Sequence, residues 1–211
     1  MVCNYSDDDF SLKTVPMEEV YFQPVKYRQL PPINSCTKLF RKKLWREVRY
    51  PVGKVNEDRF TRFTTHLIFF QTERITYLTA PLYYYFVRED SIMHRQWTPK
   101  RLDDLEAAKE QIVFFDEKGL LKIKDYFIRD YIRLLCNFYY RSVSYPDIHE
   151  ELGKELKSAL RGYRKDLSLW EKLRAHIAML PQMGPLLIFR QNVIQRGLPF
   201  ALKALREKKL T

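Results

Sequence analysis

From Thr98 to Pro181 the chain alternates turn residues with apolar stripes at helical spacing, a pattern that commits this half to packed helices. Thr98 as cap and Pro99 in the first position open one helix, and Gly119 stops it. Leu102, Leu105, Ala108, Ile112 and Phe115 form a stripe between those signals. Ile123, Tyr126, Phe127, Leu134, Leu135 and Phe138 mark a second helix, and Leu152, Leu156 and Leu160 a third. Leu169, Trp170, Leu173, Ile177 and Leu180 mark a fourth, which Pro181 ends. Amphipathic periodicity reports packing before it reports ligands, so all four stripes are expected in a core.

Upstream the pattern is mixed. Thr64 to Phe70 has the spacing of a helix, while Arg74-Ile75-Thr76-Tyr77-Leu78 has the β-branched and aromatic content of a short strand. Pro81 breaks that strand before a second one at Tyr83 to Val87, in which Tyr83, Tyr84 and Tyr85 alternate faces. The fold class read from this is α/β: a region with a few strands over residues 1–97, followed by a mainly helical region over 98–211. At 211 residues the chain is long enough to bury about two-thirds of its extended surface.

Just before the first helical segment lies an acidic pair, Glu57-Asp58, delivered by the turn Tyr50-Pro51-Val52-Gly53 into a chain of net charge +11. Two readings stand side by side. Carboxylates at a helix N-terminus cap it and complement its dipole. A positioned carboxylate in a basic setting is also what a general base requires.

Other chemistries find no support. Cys3, Cys36 and Cys136 are odd in number and far apart, and His66, His94, His149 and His176 form no ligand pair at helical spacing. Reduced thiols and packing or surface histidines are expected, with His94 a further candidate for approaching a phosphate. No Walker, dinucleotide-binding, nucleophile-elbow or metalloprotease signature occurs. Hydrophobic residues at 45% argue against disorder, and no apolar run reaches membrane-spanning length. Met1-Val2-Cys3-Asn4 has neither a basic nor an apolar leader region, so a cytoplasmic protein is expected, soluble or peripheral at the inner face of the membrane.

Three ordered blocks carry a resemblance. They are Lys38-Leu39-Phe40-Arg41, then Tyr50-Pro51-Val52-Gly53-Lys54-Val55-Asn56-Glu57-Asp58, then Pro81-Leu82-Tyr83-Tyr84-Tyr85 with Arg88 and Ser91-Ile92-Met93. In that order and spacing the chain resembles the C-terminal half of a family 2, GT-A type glycosyltransferase domain of bacterial polysaccharide synthesis, which implies a partial Rossmann-like fold over residues 1–97. The resemblance runs from about Lys38 to about Phe115. Cys36-Thr37 stands where the family usually has Trp or Cys followed by Asn. The family's nucleotide loop and Asp-x-Asp metal motif find no counterpart, and Asp7-Asp8-Asp9, in a polar turn, does not replace the latter. The donor-binding half is therefore expected to be absent from these 211 residues, the chain beginning just downstream of it.

The resemblance implies inverting transfer of a sugar from a nucleotide-sugar donor to an acceptor hydroxyl, with a divalent metal, Mg or Mn, at the diphosphate. Asp58 matches the family's base position, and Glu57 beside it would orient acceptor or base. Arg88 is the candidate for the diphosphate, because a guanidinium fork fits paired phosphate oxygens, unless it pairs with a carboxylate such as Glu89. Lys38 and Arg41 are weaker cationic candidates. The partners implied are a sugar or lipid-linked acceptor, a missing N-terminal half or partner subunit, a second copy covering exposed apolar surface, and a membrane surface reached by the basic, apolar stretch from Leu186 to Lys209. Little or no transfer is expected of the chain alone, so a non-catalytic, acceptor-binding subunit or remnant is the alternative. A nucleic-acid-binding protein is a third, weaker reading, since the positive charge is interspersed with 26 acids and no groove-reading or base-stacking motif is present.

Overall fold

The computed structural model describes residues 12–22, 38–49, 61–78 and 97–180, together with Met183 and Leu186. The chain divides into two compact units, Met1–Ile92 and Met93–Thr211.

In the first unit, strand β1 (Leu12–Pro16) pairs antiparallel with β2 (Arg74–Leu78) in the register Leu12 to Leu78 through Pro16 to Arg74. Thr14 and Thr76 face each other across the pair and share a hydrogen bond of 2.9 Å between their hydroxyls. Pro16, which has no N–H to give, closes the strand, and the ladder is continued by Met17 N–H donating to the Glu73 carbonyl at 2.9 Å. A 3-10 turn, Met17–Phe22, follows and buries Met17, Val20 and Tyr21. Helix α1 (Thr61–Phe70) supplies Ile68 and Phe69 to the same core, with Phe69 set edge-on to Tyr21 at 6.4 Å. Arg62, Thr64, Thr65 and His66 of α1 are buried too, so this helix is enclosed on more than one face. A short turn at Gln71-Thr72-Glu73 then leads into β2.

The second unit is a helical bundle built of α2 (Asp103–Glu117), α3 (Leu121–Arg141), α4 (Pro146–Gly162) and α5 (Leu169–Ala178). The longest, α3, packs against each of the other three. Phe115 of α2 stacks on Phe127 of α3 at 5.3 Å and 5°, both fully enclosed with Ile123, Ile128, Leu135 and Leu156. Trp97, ahead of α2, covers one side of this core against Phe138 and Tyr145, each 5.7 Å away. Two glycines are fixed by geometry. Gly119 takes φ +69, the left-handed turn that ends α2, and a Cβ on Gly153 would sit 3.1 Å from the Tyr139 ring, so α4 lies tight against α3 there.

Helix, β2 strand and bundle follow the sequence pattern, and two details correct it. Thr98 is extended but makes no side-chain cap. Pro99–Leu102 form a 3-10 turn, and the α-helix begins at Asp103, where Asp103, Asp104 and Glu106 complement its N-terminus. The stripe of α5 does not join the core: Leu169, Trp170, Leu173 and Leu180 are exposed, and the helix packs through Ala175 and Ala178 instead. The strand expected at Tyr83 to Val87 and the tail beyond Leu186 lie outside the described residues. Among the described residues the architecture is mixed, one two-stranded antiparallel sheet with helices, and no helix is long and apolar enough to cross a membrane.

Candidate functional site

Of the residues the sequence nominates, Glu57, Asp58 and Arg88 lie outside the described residues, as do Asp7-Asp8-Asp9 and His94. The helix expected after the acidic pair is present, beginning at Thr61. The described part of the candidate site is therefore α1 and the segment from Lys38 to Arg49.

That segment folds around a single 3-10 turn, Lys42–Trp45. Leu44 N–H donates to the Arg41 carbonyl at 3.0 Å, and Arg46 N–H to the Lys43 carbonyl at 3.4 Å. Two kinds of contact fasten the turn to α1. The Gln71 side-chain amide donates to the carbonyls of Leu44, at 3.3 Å, and Leu67, at 3.2 Å, tying loop to helix. Phe40 sits edge-on to Trp45 at 5.6 Å and lies 6.4 Å from Phe69, so an aromatic row runs from the segment into the core of the unit. Arg49 folds back, its guanidinium donating to the carbonyls of Val48, at 2.8 Å, and Trp45.

An open cleft of about 770 Å³ results, lined among the described residues by Lys42, Lys43, Trp45, Arg46, Val48 and Arg49. Its lining combines apolar Trp45 and Val48 with four cations. Such a cleft attracts anions. Lys38, a candidate from sequence for its place in the Lys-Leu-Phe-Arg block, is half-buried and does not line it; neither does Arg41. Sequence alone does not single out the four lining cations, because a basic run reads first as solvated surface. The available signal is adjacency, since Lys42, Lys43 and Arg46 stand next to Arg41 and Trp45.

His66, on α1, is buried, and its Nδ1 donates to the Arg62 carbonyl at 3.1 Å. Loss of solvation pushes its pKa down to about 4, against which the bond to Arg62 acts only partly, so it is a neutral packing residue at ordinary pH. Cys136 of α3 is a free, buried thiol pushed up to about 11 by burial, well outside the range of a nucleophile.

The helical unit holds a second, smaller cleft of about 570 Å³ beside Lys109, Tyr131, Glu155 and Tyr163. There the Tyr131 hydroxyl donates to Glu155 Oε1, and Lys109 Nζ lies 2.5 Å from the same oxygen. Burial and the neighbouring Glu155 hold the Tyr131 phenol above its usual range. These groups satisfy one another and tie α2, α3 and α4 together. No three His, Cys, Asp or Glu side chains among the described residues are placed to hold a metal ion.

Half of the chain is similar to a glycosyltransferase. That relative is Glycosyltransferase GlyA of Streptococcus pneumoniae serotype 4, 27% identical over 106 residues, a stretch that makes up 50% of this chain and 15% of GlyA. The chain thus spans only a small part of the length of the curated relative it matches. No protein-family model matches the chain, and no solved structure matches it.

Proposed function

We propose that this chain carries the acceptor-side half of a GT-A, family 2 type glycosyltransferase domain and takes part in sugar transfer to a polysaccharide or glycoconjugate acceptor. The observation that carries the reading is the similarity to GlyA in a chain that also holds the Lys38, Glu57-Asp58 and Pro81 to Met93 blocks in family order. Asp58 takes the proton of the acceptor hydroxyl as its oxygen bonds to the anomeric carbon. The bond from that carbon to the nucleoside diphosphate breaks on the opposite face, its electron pair leaving with the diphosphate, and the configuration inverts. Glu57 orients the acceptor, and Arg88 neutralises charge on the leaving group, with Lys38 a lesser cationic contributor. The metal that the family resemblance implies finds no ligand set among the described residues.

The test is a donor screen on the polypeptide as isolated from its source cell, with its intact mass recorded first. Nucleotide-sugars are supplied with divalent metal and cell-derived acceptors, and sugar-modified acceptor and released nucleoside diphosphate are followed together. Transfer with inverted anomeric configuration supports the reading. Acceptor binding without transfer from any donor would instead assign a non-catalytic acceptor-binding subunit.

A further inference from the structure

We infer that the segment from Lys38 to Arg49 is a docking surface for an anionic lipid bilayer, a role added to the sugar transfer in which Lys38 takes part. Its composition is lopsided: Lys38, Arg41, Lys42, Lys43, Arg46 and Arg49 stand against one acid, Glu47. Arg41, Lys42, Lys43 and Arg46 are exposed and make no ion pair with any described residue.

Charge alone would suit any polyanion, and the apolar residues narrow the choice. Leu39, in the middle of these cations, is fully exposed, and none of the described residues of its own unit shields it. Trp45, half-buried, and Val48, buried, line the cleft together with four cations. An exposed leucine and an interfacial tryptophan among lysines and arginines match the layered chemistry of a membrane surface, where side chains enter the acyl boundary while cations stay with the headgroup phosphates. The aromatic row Trp45, Phe40, Phe69 and the Gln71 amide hold the surface rigidly on α1, so little ordering is left to be done on contact.

Vesicle co-sedimentation of the full chain tests this, using phosphatidylcholine vesicles with and without phosphatidylglycerol. Binding is expected only to the anionic vesicles and is lost at about 0.5 M salt, where screening shortens to a few ångströms. The double reversal Lys42→Glu with Lys43→Glu is expected to weaken partition at least about 30-fold, since each basic residue near the surface adds about fivefold or more. Leu39→Asp is expected to weaken it as well. Both variants change exposed side chains, and circular dichroism confirms that they fold. The control is Lys122→Glu with Lys157→Glu, which lowers net charge equally at exposed positions of the helical unit and is expected to sediment as the unaltered chain does. Equal binding to neutral vesicles overturns the inference. So does loss in the Lys122 and Lys157 variant without loss in the patch variant. Binding of inorganic pyrophosphate or of a single-stranded oligonucleotide at this segment, with no vesicle binding, overturns it too and assigns the cleft to a soluble anion or to nucleic acid.

Discussion

Acidification should destabilise the first unit through one residue, His66. It is only 4% exposed, and burial holds its pKa at about 4 against an ordinary value of 6.5. Between those two pH values the unfolded chain binds a proton that the folded chain refuses, so the stabilising effect of the neutral, buried ring is complete above pH 6.5 and is lost as pH falls towards 4. Each tenfold change in proton affinity is worth about 1.4 kcal/mol, so the loss amounts to roughly 3 kcal/mol. That is a large part of the ~5–15 kcal/mol typical of a whole domain. The comparison is a pH series on the unaltered protein and on His66→Gln, which does not titrate in this range. Urea unfolding of both, read from amide signals of α1 and β2, gives stability against pH. The advantage of the unaltered chain over the variant should shrink by about 3 kcal/mol from pH 7 to pH 4, and the ring C2 proton should titrate well below 6. Parallel stability curves, or a folded-state pKa at or above 6.5, would rule this effect out.

Two further outcomes follow from packing and capping. Phe127→Ala removes the ring stacked on Phe115 at the centre of the bundle and should cost about 3–5 kcal/mol in denaturant unfolding of the helical unit, whereas the exposed Trp170→Ala should cost far less. Ser168→Ala deletes the cap of α5, where Glu171 N–H donates to Ser168 Oγ at 3.2 Å and Ser168 N–H to Glu171 Oε2 at 2.7 Å; about 1 kcal/mol should be lost, read as faster amide exchange in the first turn of α5.

The helices are legible in the sequence because their apolar spacing and their stops are local properties. Gly119 ends α2 in the left-handed conformation that its place in the sequence suggests, and β2 occupies the β-branched run that reads as a strand. The partner strand β1 is not legible, since Leu12-Lys13-Thr14-Val15-Pro16 gains its strand identity from pairing with residues about sixty positions away. Periodicity also gives only the direction in which a stripe points round its helix. In α5 the small Ala175 and Ala178 allow close packing on one side, leaving Leu169 and Trp170 outward, a choice set by neighbouring helices rather than by the stripe. The same limit applies at the candidate site. Lys38 stands out by its block, but which cations share a cleft depends on the 3-10 turn at Lys42–Trp45 and its ties to α1. The capping box Ser168-Leu169-Trp170-Glu171 is a motif of the opposite kind, complete within four residues and readable without any tertiary contact, although the apolar stripe beside it is the louder signal.

Sugar transfer through Asp58 stands or falls on the turnover of Asp58→Asn beside Glu57→Gln, both compared with the unaltered polypeptide from the source cell at equal fold content. General-base catalysis contributes about 100-fold or more. Asp58→Asn should therefore lower the rate of sugar transfer by at least that factor with little change in acceptor affinity, while Glu57→Gln should act chiefly on acceptor KM. Transfer by Asp58→Asn at an undiminished rate would contradict the role of Asp58 as the base.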